Sequence, residues 1–298
     1  MNVFRTIRIK TPKIFSFNET LSFLDRDYDE CLYELSDKAV SKLIHLSDGK
    51  GIIKIYQKRE SLEIELQKRE ISELNLQEVK DYVIEWFDLT RNIEPFYTLL
   101  DKHKELSYFT KEYYGSRIIS IPNLFEAICW AIIGQQINLT FAYKLKRLLV
   151  EKYGEKEIVN NQVYFTFPTP EILAKASRND LISMKFSRQK IDYLMNISNA
   201  FLEGQISKEI LFKCKNTNER IEQLTAIKGI GVWSANYVLL KSFQDMSCIT
   251  YGDSGLNKAI HVIYKTNKKP SKNKIDSIFK GFKNWESYLN FYLWKSLK

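Results

Sequence analysis

Two short stretches of this chain carry residue types at spacings that could do chemistry. In Leu224-Thr-Ala-Ile-Lys-Gly-Ile-Gly-Val-Trp-Ser-Ala-Asn-Tyr-Val-Leu240, a helical pattern runs into a Gly-Ile-Gly turn and resumes at once. Gly229 and Gly231 open backbone conformations closed to other residues, and they remove side chains that would keep a phosphate away. The second helix begins at the turn. The unpaired N–H groups of its first residues, Val232 onward, therefore face outward at the positive end of the helix dipole. Lys228 adds a charge beside them. Such a site grips a nucleic-acid backbone without reading its sequence. In Tyr251-Gly-Asp-Ser-Gly-Leu256, one carboxylate, Asp253, stands at the expected start of another helix. It can cap that helix by accepting its first N–H groups. It can also stabilise positive charge developing in a group held by the turn.

The turn alone has two other readings. Gly229-x-Gly231 with an acidic residue about 20 positions further on matches part of the dinucleotide fingerprint. Ser234 holds the third glycine position, however, and Glu219 to Ala226 is a helical pattern rather than a strand, which excludes a nucleotide cofactor. The other reading is a bare helix corner with no ligand.

Several elements must position these groups. Residues 1 to about 75 read as β-rich. Val3 to Lys10 alternates in part, and Gly51–Tyr56 with Ser61–Leu66 reads as a strand pair joined by Gln57–Glu60. Leu62, Ile64 and Leu66 then face a core, with Glu63 and Glu65 facing water. Glu30 to His45 fits either a short helix or a strand. From about residue 76 the period becomes helical: Leu76–Phe87, Phe96–Leu106, then Asn123–Tyr153 with a break at Gly134-Gln-Gln136. Pro170 opens the next helix with Thr169 as its N-cap. Asn179–Met184, Ser187–Glu203, Ile221–Ile227, Val232–Phe243, Ser254–Tyr264, Lys272–Phe279 and Trp285–Leu297 complete the series. The expected fold class is α+β. A small antiparallel sheet domain with helices (1–88) precedes a large all-helical region (89–298), which has two subdomains and the glycine hairpin at 221–243.

Composition sets the partners. The 298 residues carry a formal charge of +9, which favours a polyanion through phosphate neutralisation. Four scattered cysteines (Cys31, Cys129, Cys214, Cys248) form no CxxC pair. They read as free thiols, with no zinc site and no iron–sulfur cluster. No apolar run is long enough for a bilayer span, and the first residues lack a signal-peptide pattern, so a cytosolic protein with no membrane partner is expected. Three isolated histidines offer no nucleophile relay.

Taken together, Leu224 to Tyr237 and Gly252-Asp-Ser-Gly-Leu256 resemble the helix-hairpin-helix DNA glycosylases, in particular the bacterial 3-methyladenine DNA glycosylase II group. Phe125-Glu-Ala-Ile-x-x-Ala-Ile-x-Gly-Gln-Gln-Ile137, Phe167–Glu171, Ser187–Lys190, Phe87-Asp-Leu89 and Trp285–Trp294 are similar as well. The resemblance spans about residues 87 to 298.

The resemblance implies roles. Asp253 aligns with the catalytic aspartate. Trp233 stands where strand-cutting relatives carry a Schiff-base lysine, which implies a monofunctional enzyme using water. Trp233, Tyr237 and Trp294 would line the base pocket, and Tyr237 lies one helical turn beyond Trp233. Gln136 would fill the gap left by an extruded base, with Gln135 pointing inward. Lys228, Gly229, Gly231 and Val232 would hold the DNA backbone. The backbone oxygens of Thr225, Ile227 and Gly229 would coordinate Na+ or K+, with no other cofactor required. The expected activity is release of alkylated purines, of the 3-methyladenine and 7-methylguanine type, from double-stranded DNA in base excision repair. The protein would act as a nucleoid-associated monomer and leave an abasic site. Alternatives are an oxidised-purine (8-oxoguanine) glycosylase of the same fold, or a non-catalytic damaged-DNA-binding protein. The chain departs from the pattern at Thr250-Tyr251, Asn138 and Glu286-Ser287, which affects pocket shape.

Overall fold

The computed structural model describes residues 4–67 and 71–297. Val3, read as the first strand residue, lies outside them. Five strands, β1 (Phe4–Lys10), β2 (Glu34–Ser36), β3 (Ala39–Leu46), β4 (Gly49–Lys58) and β5 (Ser61–Gln67), form one antiparallel sheet in the order β1-β5-β4-β3-β2. The stretch left open between helix and strand, Glu30 to His45, therefore supplies two strands. The β4–β5 turn is tight, with Lys58 opposite Ser61 and Arg59 at φ 54°.

One expectation about this sheet is corrected. Leu62, Ile64 and Leu66 are buried as read, but Glu63 is buried too. Arg8 on the neighbouring strand pairs with it at 2.7 Å, which satisfies a carboxylate taken out of water.

Helix α1 (Phe17–Leu24) was not legible in the sequence. Ser16 caps it, and Phe23 packs on Phe291 with ring centroids 4.5 Å apart. Helices α2 (Glu73–Trp86), α3 (Glu94–Asp101) and α4 (Phe109–Glu112) lead into α5 (Leu124–Gly134) and α6 (Leu139–Tyr153). Helix α5 buries eight of its eleven residues, as an apolar helix at the centre of a bundle must. Its break with α6 falls where Gly134-Gln-Gln136 predicted, and Asn138 caps α6 by accepting from the Phe141 N–H at 2.8 Å.

The helical region is not all-helical. Strands β6 (Lys156–Val159) and β7 (Gln162–Phe165) form a hairpin after α6, and β7 lies against β3. The chain continues through α7 (Pro170–Ala174), α8 (Arg178–Ser183), α9 (Arg188–Leu202), α10 (Lys208–Lys213) and α11 (Thr217–Thr225). Thr169 takes the N-cap position of α7, but its side chain makes no capping bond. Helix α12 (Val232–Val238) passes into a π-helical turn, Leu239–Phe243, before α13 (Ser254–Tyr264), α14 (Lys272–Phe279) and α15 (Glu286–Lys295) close the fold.

Candidate active site

The turn between α11 and α12 owes its shape to Gly229. Its φ is 111°, and a Cβ there would stand 2.7 Å from Cγ of Tyr193. Gly231 starts α12 with φ −89° and ψ 174°, with open space where its Cβ would be. No side chain caps α12. The N-terminal end of α12 is thus open to an anion, with Val232 and Lys228 exposed beside it. Gln135 points inward as expected: its Nε2 donates to Gly229 O and Ser234 Oγ, both at 3.1 Å, and ties the helix break to the turn. Gln136 is exposed beside it, in a left-handed conformation (φ 57°).

Asp253 is the N-cap of α13. Its Oδ1 accepts from the Leu256 N–H at 2.7 Å and from Trp294 Nε1 at 2.9 Å, and its Oδ2 accepts from Trp233 Nε1 at 3.3 Å. Capping and presentation of the carboxylate to the cavity therefore coexist. Helix α15 sets the approach: Ser287 Oγ accepts from the Cys248 N–H, and Asn290 Oδ1 accepts from both N and Oγ1 of Thr250. Ser287, Asn290 and Trp294 share one helical stripe, so one face of α15 fixes the loop that carries Asp253. Thr250 and Ser287, two departures from the family pattern, both take part: Thr250 bonds Asn290, and Ser287 accepts from the Cys248 N–H.

Trp233 stacks on Tyr237 at 5.6 Å and 24°, and Tyr237 lies 5.9 Å from Trp294. The Tyr237 hydroxyl accepts from Trp130 Nε1 at 2.9 Å, and burial pushes its pKa up. These residues and Asp253 border a cavity of about 1190 Å³, ample for an extruded base. Gln136 and Gly231 lie at its rim. The sequence places the cleft between the two helical subdomains and leaves the part played by N-terminal residues open. The N-terminal segment forms a further wall, through Phe23, Arg26, Tyr28, Glu30 and Lys42. Trp130, Tyr143, Lys146 and Lys241 were also missed. No motif spacing marks them, because they meet only when distant helices pack.

Comparison with known proteins places the chain. Residues 129–284, more than half of it, match the profile described as HhH-GPD superfamily base excision DNA repair protein. The chain belongs to this superfamily. Residues 18–128 match the profile of the 8-oxoguanine DNA glycosylase N-terminal domain. A DNA-3-methyladenine glycosylase of Bacillus subtilis is 35% identical over 98% of this chain and 97% of its own. DNA-3-methyladenine glycosylase 2 of Escherichia coli is 27% identical over 60% of each. Among solved structures, 3-methyladenine DNA-glycosylase from Archaeoglobus fulgidus superposes with TM-score 0.84 at 23% identity over 97% of both chains. Clostridium acetobutylicum 8-oxoguanine glycosylase/lyase gives 0.74 at 20%, over 98% and 97%. These two likenesses bear on the fold.

The protein is thus a DNA glycosylase, a hydrolase of N-glycosyl bonds. Two of the carbonyls expected to hold a monovalent ion already accept one bond each: Ile227 O from Ile230 N, and Gly229 O from Gln135. A second lone pair remains on each, so the glycosylase hairpin is compatible with such an ion. No helix among the described residues is long and apolar enough to cross a membrane.

Proposed function

We propose that this glycosylase releases alkylated purines from double-stranded DNA by hydrolysis and leaves the strand uncut. The observation that carries the reading is Asp253 held between two indole N–H groups on the border of an aromatic cavity. The open start of α12, with Gly229, Gly231, Val232 and Lys228, receives the DNA backbone. Gln136 fills the space the extruded base leaves. Trp233, Tyr237 and Trp294 offer π-faces to an electron-poor alkylated purine. As the N-glycosidic bond breaks, positive charge grows on the deoxyribose, and the Asp253 carboxylate stabilises it. Trp233 offers no amine for a Schiff base, so water completes the reaction. A Na+ or K+ on the carbonyls of Thr225, Ile227 and Gly229 would add fixed positive charge beside the bound phosphate. The alkylpurine preference is supported by the full-length relative named DNA-3-methyladenine glycosylase.

The test is chromatography of free bases after incubation with methylated duplex DNA. Wild type is expected to release 3-methyladenine and 7-methylguanine. Asp253→Asn is expected to lower release by about 10²-fold or more while duplex binding persists. No free base at enzyme excess refutes the reading. The match of residues 18–128 to an 8-oxoguanine glycosylase domain favours a second reading, oxidised purines. Borohydride trapping on 8-oxoguanine DNA separates the two, since a covalent adduct overturns the water-based mechanism.

A further inference from the structure

The far end of the cavity holds a cation that the chemistry at Asp253 does not use. Arg26 follows α1 and lines the cavity, half-buried. Its guanidinium lies 4.2 Å from the Phe23 ring and 5.6 Å from the Tyr28 ring. Tyr28 is itself stacked on Tyr143 at 4.7 Å and 5°, so the platform under Arg26 is stiff. The guanidinium makes one long bond, from Nη2 to the Tyr143 hydroxyl at 3.5 Å, and no carboxylate pairs with it among the described residues. The neighbouring cations are engaged. Lys146 is 2.5 Å from Glu30, Lys42 donates to Leu32 O, and Lys241 donates to Ile119 O. Of these four cations, Arg26 has most of its N–H donors free.

Depth sets what those donors meet. Trp233, which bonds Asp253, is followed one helical turn on by Tyr237, and Lys241 comes next on the π-helical turn. Arg26 and Lys241 both lie against the Phe23 ring, at 4.2 and 5.4 Å, and Arg26 reaches Tyr143, whose ring packs on Trp130, the donor to the Tyr237 hydroxyl, so Arg26 stands at the Lys241 end of the cavity. A purine whose sugar sits at Asp253 therefore turns its remote edge toward Arg26.

We propose that Arg26 is a specificity-determining residue that donates hydrogen bonds to a carbonyl oxygen on that remote edge, favouring 6-oxopurines over 6-aminopurines. The proposal rests on the glycosylase reading above. A guanidinium has donors only. A guanine-type or hypoxanthine base presents an acceptor oxygen there, whereas an adenine-type base presents an amino group, donor against donor.

Duplex DNA treated with dimethyl sulfate contains both 7-methylguanine and 3-methyladenine, so one incubation reports their rate ratio. Arg26→Met is expected to lower the 7-methylguanine to 3-methyladenine ratio about tenfold or more, and Arg26→Lys by less. Release of hypoxanthine from an inosine-containing duplex should fall in parallel with 7-methylguanine. An unchanged ratio, including one where both rates drop together, overturns the proposal. If Arg26→Met fails to fold, Arg26→Lys, which keeps the charge but loses the planar fork, carries the same comparison. If wild type releases neither base, the parent reading fails instead.

Discussion

Asp253 is held by N–H donors from three places: its own helix, α12 and α15. A carboxylate held this way is pre-positioned, which is what stabilisation of developing charge requires. Two of these donors are indoles, so the residues that border the cavity also fix the reacting group. Lys241, at the other end, is buried with no carboxylate beside it among the described residues, and burial, reinforced by the Arg26 charge, lowers its pKa from 10.5 to about 7. Above 10.5 the amine is neutral folded and unfolded; below about 7 it is charged in both. Between these values only the unfolded chain holds the proton, so this residue makes stability fall as pH drops through that window. Lys241→Met is therefore expected to raise Tm more near about pH 6 than near about pH 10. Thermal unfolding at both pH values checks this, and an equal gain at both contradicts it.

At the scale of elements, the two hairpin glycines have different reasons to be glycine. Gly229 combines a positive φ with the Tyr193 ring against its Cα, so Gly229→Ala should cost about 1–3 kcal/mol of folding stability. Gly231 has an ordinary φ and free space, so Gly231→Ala should cost less, about 0.5–1 kcal/mol for placing Ala at an N-cap. If the start of α12 receives a phosphate, the added methyl at Gly231 should still weaken duplex binding several-fold, read by fluorescence anisotropy. Similar Tm losses in the two variants would remove the distinction. The cap at Asn138 came from the structure, whereas the helix break at Gly134-Gln-Gln136 was legible because helix breaking is local chemistry. Strands β6 and β7 were not: they are four residues each, half-exposed or exposed for most of their length, and too short to show a period.

At the scale of the molecule, the N-terminal module is part of the cavity. Phe23 packs on Phe291, Lys295 on α15 bonds Glu19 of α1 at 2.8 Å, and Lys146 on α6 pairs with Glu30. The net charge of +9 favours binding to any duplex through phosphates. Affinity for undamaged DNA should therefore fall steeply and linearly on a log–log plot against salt, with little dependence on base sequence. A flat salt response would argue against backbone docking at the hairpin.

What the sequence determined by itself was the local chemistry. The Gly-Ile-Gly turn, Asp253 as a helix cap and the break at Gln135-Gln136 all follow from residues within a few positions of one another, whereas Trp233 in place of an amine was implied by the family resemblance. Tyr237 was placed with Trp233 because one helical turn separates them. Tertiary structure alone decided that Trp294 bonds Asp253, that Asn290 and Ser287 hold its loop, and that Arg26, Tyr28 and Glu30 complete the cavity. Those groups come from opposite ends of the chain. Their meeting depends on how the N-terminal module packs on α6 and α15, and burial, not sequence spacing, sets that packing.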